Sequence, residues 1–214
     1  MQWKTTSRDM PQAISRCFFL GDAAVWSAFR AQMHDAFPGV NLPDQPEPWE
    51  GEATLARLTA LLREDAKSQH LVVGCVSCPA SPDSLLPAGE SAALWLVGAD
   101  APVVMPRGEF YDASASDPLR NICERAVTQC ELDEDPATCI LFSHPQIPQV
   151  NECGWNTTHN LQDNYWGIGG SMDPLFVISL AALYAQNEAQ PCGWISTDPQ
   201  HTLALGIVKP HGKG

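Results

Sequence analysis

Cys153, His159 and Asp163 bring a thiol, an imidazole and a carboxylate within eleven residues of chain. A thiolate nucleophile needs a base within hydrogen-bond reach and a third group to orient that base, and these side-chain types supply the set. The surrounding segment, Asn151 to Gly167, is rich in amides and hydroxyls. That is the composition of a loop, where function concentrates. One expectation is therefore a cysteine-dependent hydrolase or transferase built on these residues. Two observations weigh against it. Cys153 and His159 lie six positions apart on irregular chain that does not enforce contact, and the segment lacks the local signatures of cysteine-protease families. Polar side chains in such a loop also serve simply to satisfy backbone groups.

Charge points to a different role. From Ala126 to Val208 the chain has no lysine or arginine across 83 residues, but nine acids. Such a stretch cannot neutralise phosphates, which argues against nucleic acid or an anionic membrane as its partner. Glu131, Asp133, Glu134 and Asp135 are four acids within five residues; they repel one another and belong in solvent. Trp49, Trp155 and Trp166 sit in loops beside Pro, Gly and Asn, and aromatics so placed are the usual anchors of interfaces. Together these residues favour a small acidic binding or accessory protein of the immunity, inhibitor or assembly-subunit type that engages a basic protein partner. The Cys153 site is the alternative.

Two further motifs carry less. Cys75-Val-Ser-Cys78 has the spacing of a zinc knuckle but no second pair, so no metal and no cofactor are expected. Gly167-Ile-Gly-Gly-Ser-Met-Asp-Pro precedes a helix, and glycines there let amides converge on an anion. Asp173 would occupy the place of that anion, so Ser171 or Asp173 is expected to cap the helix instead.

A chain of 214 residues with 44% hydrophobic content and a formal charge of −13 can bury one sizeable core, and a single globular domain over 1–214 is expected. The amino-terminal apolar residues are interrupted by Lys4, Arg8, Asp9 and Arg16, unlike a signal peptide. The longest apolar run, Leu175 to Ala185, is about half the ~20 residues a membrane helix needs. A soluble, cytoplasmic protein follows, with its eight cysteines mostly reduced and buried.

The periodicity predicts a strand over 13–20, then a helix capped by Asp22 with Val25, Phe29 and Met33 on one face. Proline-rich loops follow at 38–50 and 79–87. Between them lie an amphipathic helix from Glu52 to Lys67, with Leu55, Leu58, Leu61 and Leu62 on one face, and a strand HLVVGCVSC. Two apolar runs in ALWLVGADAPVVM flank Gly98 to Asp100 like a hairpin. A helix capped by Asp117, a short strand over 138–142, a helix from Asp173 to about Gln186 and two strands joined at Asp198 to Gln200 complete the chain. No internal repeat is evident. This order of elements predicts an α+β fold, a mainly antiparallel mixed sheet packed against about four helices.

Overall fold

The computed structural model describes residues 13–79, 82–83, 88–142, 150, 153–157, 159–161, 170–198 and 200–212. Its strands are β1 (Arg16–Leu20), β2 (Glu47–Pro48), β3 (His70–Cys78), β4 (Gly89–Val97), β5 (Val103–Val104), β6 (Glu109–Tyr111), β7 (Cys139–Phe142), β8 (His159–Leu161), β9 (Cys192–Thr197) and β10 (Leu203–Pro210). Among the described residues four helices accompany them: α1 (Ala23–Ala36), α2 (Glu52–Glu64), α3 (Leu119–Gln129) and α4 (Asp173–Glu188), the last entered through a single 3₁₀ turn at Gly170–Met172.

Alternation along the strands sets the layers, because successive side chains leave a strand on opposite faces. In the first sheet Phe18 and Val72 pack with Leu55 and Leu58 of α2 and Leu175 and Ile178 of α4. Their neighbours Cys17, Phe19, Leu71 and Val73 pack the other way, onto Trp26 of α1. The second sheet repeats the division: Ile140, Trp194, Ala204 and Val208 face α4, while Leu141, Ile195, Leu205 and Ile207 face Ile122, Cys123 and Ala126 of α3. The order is α1, first sheet, α2 with α4, second sheet, α3.

Placement between two sheets explains the composition of α4. A helix covered on opposite sides is apolar round most of its circumference, and Leu175, Val177 and Ile178 are fully or almost fully buried. Each contributes about 1.5–3 kcal/mol by leaving water. Gly74 of β3 lets this segment approach closely: a Cβ there would stand 2.5 Å from Met172 Sδ and 2.7 Å from Leu175 Cδ1.

The α+β class, with four helices packed on mixed sheets, holds, and the strands divide between two sheets of like topology. The first runs β2-β1-β3-β4, with β1 parallel to β2 and β3, and β3 antiparallel to β4. The second contains β8-β7-β9-β10, with β7 parallel to β8 and β9, and β9 antiparallel to β10. The chain therefore repeats a topology that its sequence does not show as a repeat.

Three local expectations need correction. The runs flanking Gly98 form no hairpin: β4 pairs along its length with β3, whereas β5 crosses to β10 of the other sheet. The residue before α3 is Pro118, without a side-chain cap, because Asp117 turns instead to Asn121 Nδ2 at 3.0 Å and Arg125 at 2.7 Å. Met172, with no side-chain cap bond, holds the position before α4, so neither Ser171 nor Asp173 occupies the capping place. Asp22 does cap α1, accepting from Val25 N at 2.9 Å. Cys17, Cys123, Cys130, Cys139, Cys153 and Cys192 are free and buried, and Cys75 is free and exposed. Among the described residues no helix is long and apolar enough to cross a membrane, and no group of His, Cys, Asp or Glu could hold a metal ion.

Candidate functional site

The proline-rich chain after α1 returns beside β1 as β2, held by the Trp49 amide donating to Phe19 O at 3.0 Å. It then turns sharply into α2 at Gly51, whose φ of 60° and ψ of −130° suit a residue without a side chain. Thr54 Oγ1 accepts from Glu50 N at 2.8 Å, which occupies one amide of the turn. A cavity of about 280 Å³ opens here, between the amino ends of α2 and α4 and the β9–β10 turn. Leu20, Trp49, Leu55, Ile178 and Trp194 give it an apolar wall, and Glu50, Glu52, Ser196 and Asp198 supply polar groups. No basic side chain lines it among the described residues.

Glu52 is the unusual member. It is 4% exposed, and its Oε1 accepts from Gly108 N at 2.9 Å. Burial pushes its pKa from 4.5 up to about 7, against the opposing pull of the Gly108 amide and Arg107. Oε2 is buried with no hydrogen-bond partner among the described residues. Asp198 is set differently. Its Oδ1 accepts from Gln200 N and His201 N, both at 2.9 Å, and pairs with His201 Nδ1 at 3.0 Å. The His201 ring stacks on Phe110 with centroids 4.1 Å apart. Asp198 Oδ2 lies 3.6 Å from where a Cβ on Gly51 would stand, so the carboxylate faces the turn.

Two other wall residues carry buried polar atoms without a partner among the described residues, Trp194 Nε1 and Ser196 Oγ. Orphaned buried polar atoms are rare in native proteins and call for a ligand, a water or a functional reason. All three are enclosed by protein behind the cavity wall, and burial raises the pKa of the carboxyl among them.

The sequence-predicted residues fall elsewhere, with one exception. Trp49 lines the cavity, half-buried and edge-on to Trp95 at 5.7 Å. Trp155 is buried in the core on the α3 side. Cys153 lies in that same core, so the second sheet stands between it and the cavity. The Cys123 thiol donating to its sulfur, helped by the Trp155 amide, holds the Cys153 thiol below the ordinary value despite burial, while Cys123 is driven up. His159 sits in β8, opposite Ile140; Asp163 and Trp166 lie outside the described residues. Glu131, Asp133, Glu134 and Asp135 are exposed, with Glu131 3.9 Å from Lys209 Nζ.

No family model matches the chain, and no curated protein matches it. Solved structures do. ChlB3, an acyltransferase, superposes with a TM-score of 0.63 at 13% identity over 94% of this chain and 78% of its own. A type III polyketide synthase of Streptomyces coelicolor A3(2), 1,3,6,8-tetrahydroxynaphthalene synthase, gives 0.59 at 10% over 95% and 74%. The β-ketoacyl-[acyl carrier protein] synthase III of Thermus thermophilus gives 0.53 at 14% over 99% and 80%.

The chain has a ketosynthase-like fold. That finding overturns the expectation of an immunity, inhibitor or assembly-subunit protein: the architecture is one found in biosynthetic enzymes. Sequence reasoning missed Glu52 and Gly51 and read Asp198 only as part of the turn joining two strands, whereas its side chain is 7% exposed. The available signal was a helix beginning after glycine, with no Ser, Thr, Asp or Asn in the capping place.

Proposed function

We propose that the protein handles acyl groups as an enzyme of the acyltransferase or ketosynthase type, with the acyl chain held in the cavity between α2, α4 and the β9–β10 turn. The cavity carries this reading. It combines an apolar wall with a buried, proton-holding carboxyl, in a fold shared with proteins named for acyl transfer and ketoacyl synthesis. Apolar clefts with a few convergent polar groups are the usual form of small-molecule sites. Incubation with acyl-coenzyme A thioesters of two to twelve carbons, followed by mass spectrometry of protein and small molecules, tests it. Binding together with thiol release is expected; neither binding nor release at any chain length would overturn it.

A second reading keeps Cys153, with His159 and Asp163, as the acyl-carrying site. It is favoured by the lowered pKa of the Cys153 thiol, since a thiolate is the competent nucleophile. Its sulfur would form a bond to the acyl carbon as the carbon–sulfur bond of the donor breaks, and the departing thiolate takes up the proton. An acyl mass increment that maps to Cys153 and vanishes in Cys153→Ser supports this route. Acyl transfer at wild-type rate by Cys153→Ala removes it and leaves the chemistry to the cavity.

A further inference from the structure

We propose that the outer edge of β4 is an interaction surface for a second copy of this chain, which adds its own β4 antiparallel and continues the first sheet across a two-fold axis. β4 runs over nine residues and pairs with β3 along its whole length in an uninterrupted register. Its other edge has no neighbouring strand among the described residues. Such an edge offers a row of backbone donors and acceptors to any strand that arrives, and native proteins blunt it with Lys, Pro, a bulge or a very short strand. The sequence of β4, GESAALWLV, has no Lys or Pro, and Glu90 is its one charge. The opposite edge of the same sheet is blunted: β2 is two residues long, and one of them is Pro48.

The side chains that border the edge are apolar where they meet water. Burial alternates along β4, with Glu90, Ala92, Leu94 and Leu96 exposed and the residues between them half-buried. Leu94 and Leu96 are 46% and 37% exposed. They stand opposite Val73 and Leu71 of β3, which Trp26 of α1 helps to bury, and lie beyond that cover. Leu183 of α4, 43% exposed, borders β4 on its other face: it follows by one turn Ser179, whose Oγ accepts from Trp95 Nε1 at 2.6 Å. The large hydrophobic side chains left exposed among the described residues are these three leucines. Scattered exposed leucines need no explanation, but a group of them along one open strand marks a place for a partner.

Charge and shape select a second copy as that partner. A chain of formal charge −13 repels its own copies except across a patch poor in acids, and β4 is such a patch. A basic partner would find only Glu90 on this strand, and an acidic one no cation. Self-pairing uses one patch twice. With the axis at Ala93, Ala92 faces Leu94 of the partner subunit and Ser91 faces Trp95 of the partner subunit, so small side chains oppose large ones on both faces of the sheet. The two Glu90 carboxylates then stand ~20 Å apart at ~3.4 Å per residue, well beyond the ~8 Å over which exposed charges act. No residue of β4 lines the cavity, so this surface and the acyl-group reading stand or fall separately.

The test is sedimentation velocity of the full chain from ~1 to ~100 μM, with hydrogen exchange of the 89–97 amides followed over the same range. A dimer is expected, and those β4 amides that point away from β3 should exchange more slowly as it forms. Replacing both leucines, Leu94→Lys with Leu96→Lys, should raise the dimer Kd at least about tenfold, since each loses the burial of an apolar side chain. Both positions are exposed, so the variant should keep the wild-type circular dichroism. It also lowers the net negative charge, so general repulsion cannot account for the loss. Ala31→Lys, at an exposed position on α1, should dimerise like the wild type. A wild type that stays monomeric throughout would overturn the proposal and leave the edge to a neutral segment of another protein. An unchanged Kd in the double variant, or an equal loss in Ala31→Lys, would place the interface elsewhere. A dimer whose 89–97 amides exchange at the monomer's rate would rule out strand pairing.

Discussion

Removing the charge option from Glu52 should stabilise the protein at alkaline pH and leave it unchanged in acid. The native state holds the Glu52 proton up to about pH 7, whereas the unfolded chain releases it near 4.5. Between these values the native state binds more protons, so unfolding becomes easier as pH rises. A tenfold change in proton affinity is worth about 1.4 kcal/mol, which makes full ionisation in the buried setting cost about 3 kcal/mol. That is a large part of the 5–15 kcal/mol by which folded domains exceed their unfolded chains. Glu52→Gln keeps the shape and can still meet Gly108 N through its carbonyl oxygen, but never pays for ionisation. Urea denaturation of both proteins at pH 4.5, 6, 7 and 8 is the assay. With a urea slope of about 2–3 kcal/mol/M, the variant's midpoint should exceed the wild type's by about 1 M at pH 8. Near pH 4.5 the two should converge. His70 has its pKa lowered, mainly by burial, and destabilises the protein as pH falls; because both proteins contain it, it cancels in the difference. Curves that stay parallel from pH 4.5 to 8 would refute the reasoning and show that Glu52 is ionised, or solvated, throughout.

Asp198→Ala removes the acceptor of three hydrogen bonds at the β9–β10 turn and should cost about 1–3 kcal/mol in thermal or urea unfolding; a loss under about half a kcal/mol would show that these bonds do not hold the turn. Iodoacetamide should label Cys75 in the folded protein and reach Cys139 and Cys192 only after unfolding, since burial shields those thiols and raises their pKa. Native-state labelling of Cys139, mapped by mass spectrometry, would contradict its place in the core. Val177→Asp puts an unpaired charge at a fully buried position between the sheets, a change whose cost approaches the whole stability of the domain; a soluble variant with wild-type circular dichroism would mean that α4 is not the central layer.

What could be read from the sequence was whatever neighbouring residues decide. Asp22 caps α1 because a cap acts over three positions, and the leucine spacing of α2 reports its buried face without reference to a partner. The turn between β9 and β10 lay within a single stretch of chain. Pairing between distant strands was beyond such reasoning: ALWLVGADAPVVM has the composition of a hairpin, and only the second sheet's claim on Val103 and Val104 through β10 prevents one. The cavity was out of reach for the same reason in a stronger form. Gly51, Ser171 and Asp198 wall one cavity from three separated segments, and each alone has an ordinary explanation. Glu52 in particular resembles any acid placed at a helix start, where the dipole favours negative charge. What makes it chemical is Gly108, 56 positions away, whose lack of a side chain leaves room for the carboxyl: a Cβ there would stand 2.6 Å from Oε2. The fold thus uses a distant glycine to bury a group that the local sequence would place in water, and that burial raises the Glu52 pKa.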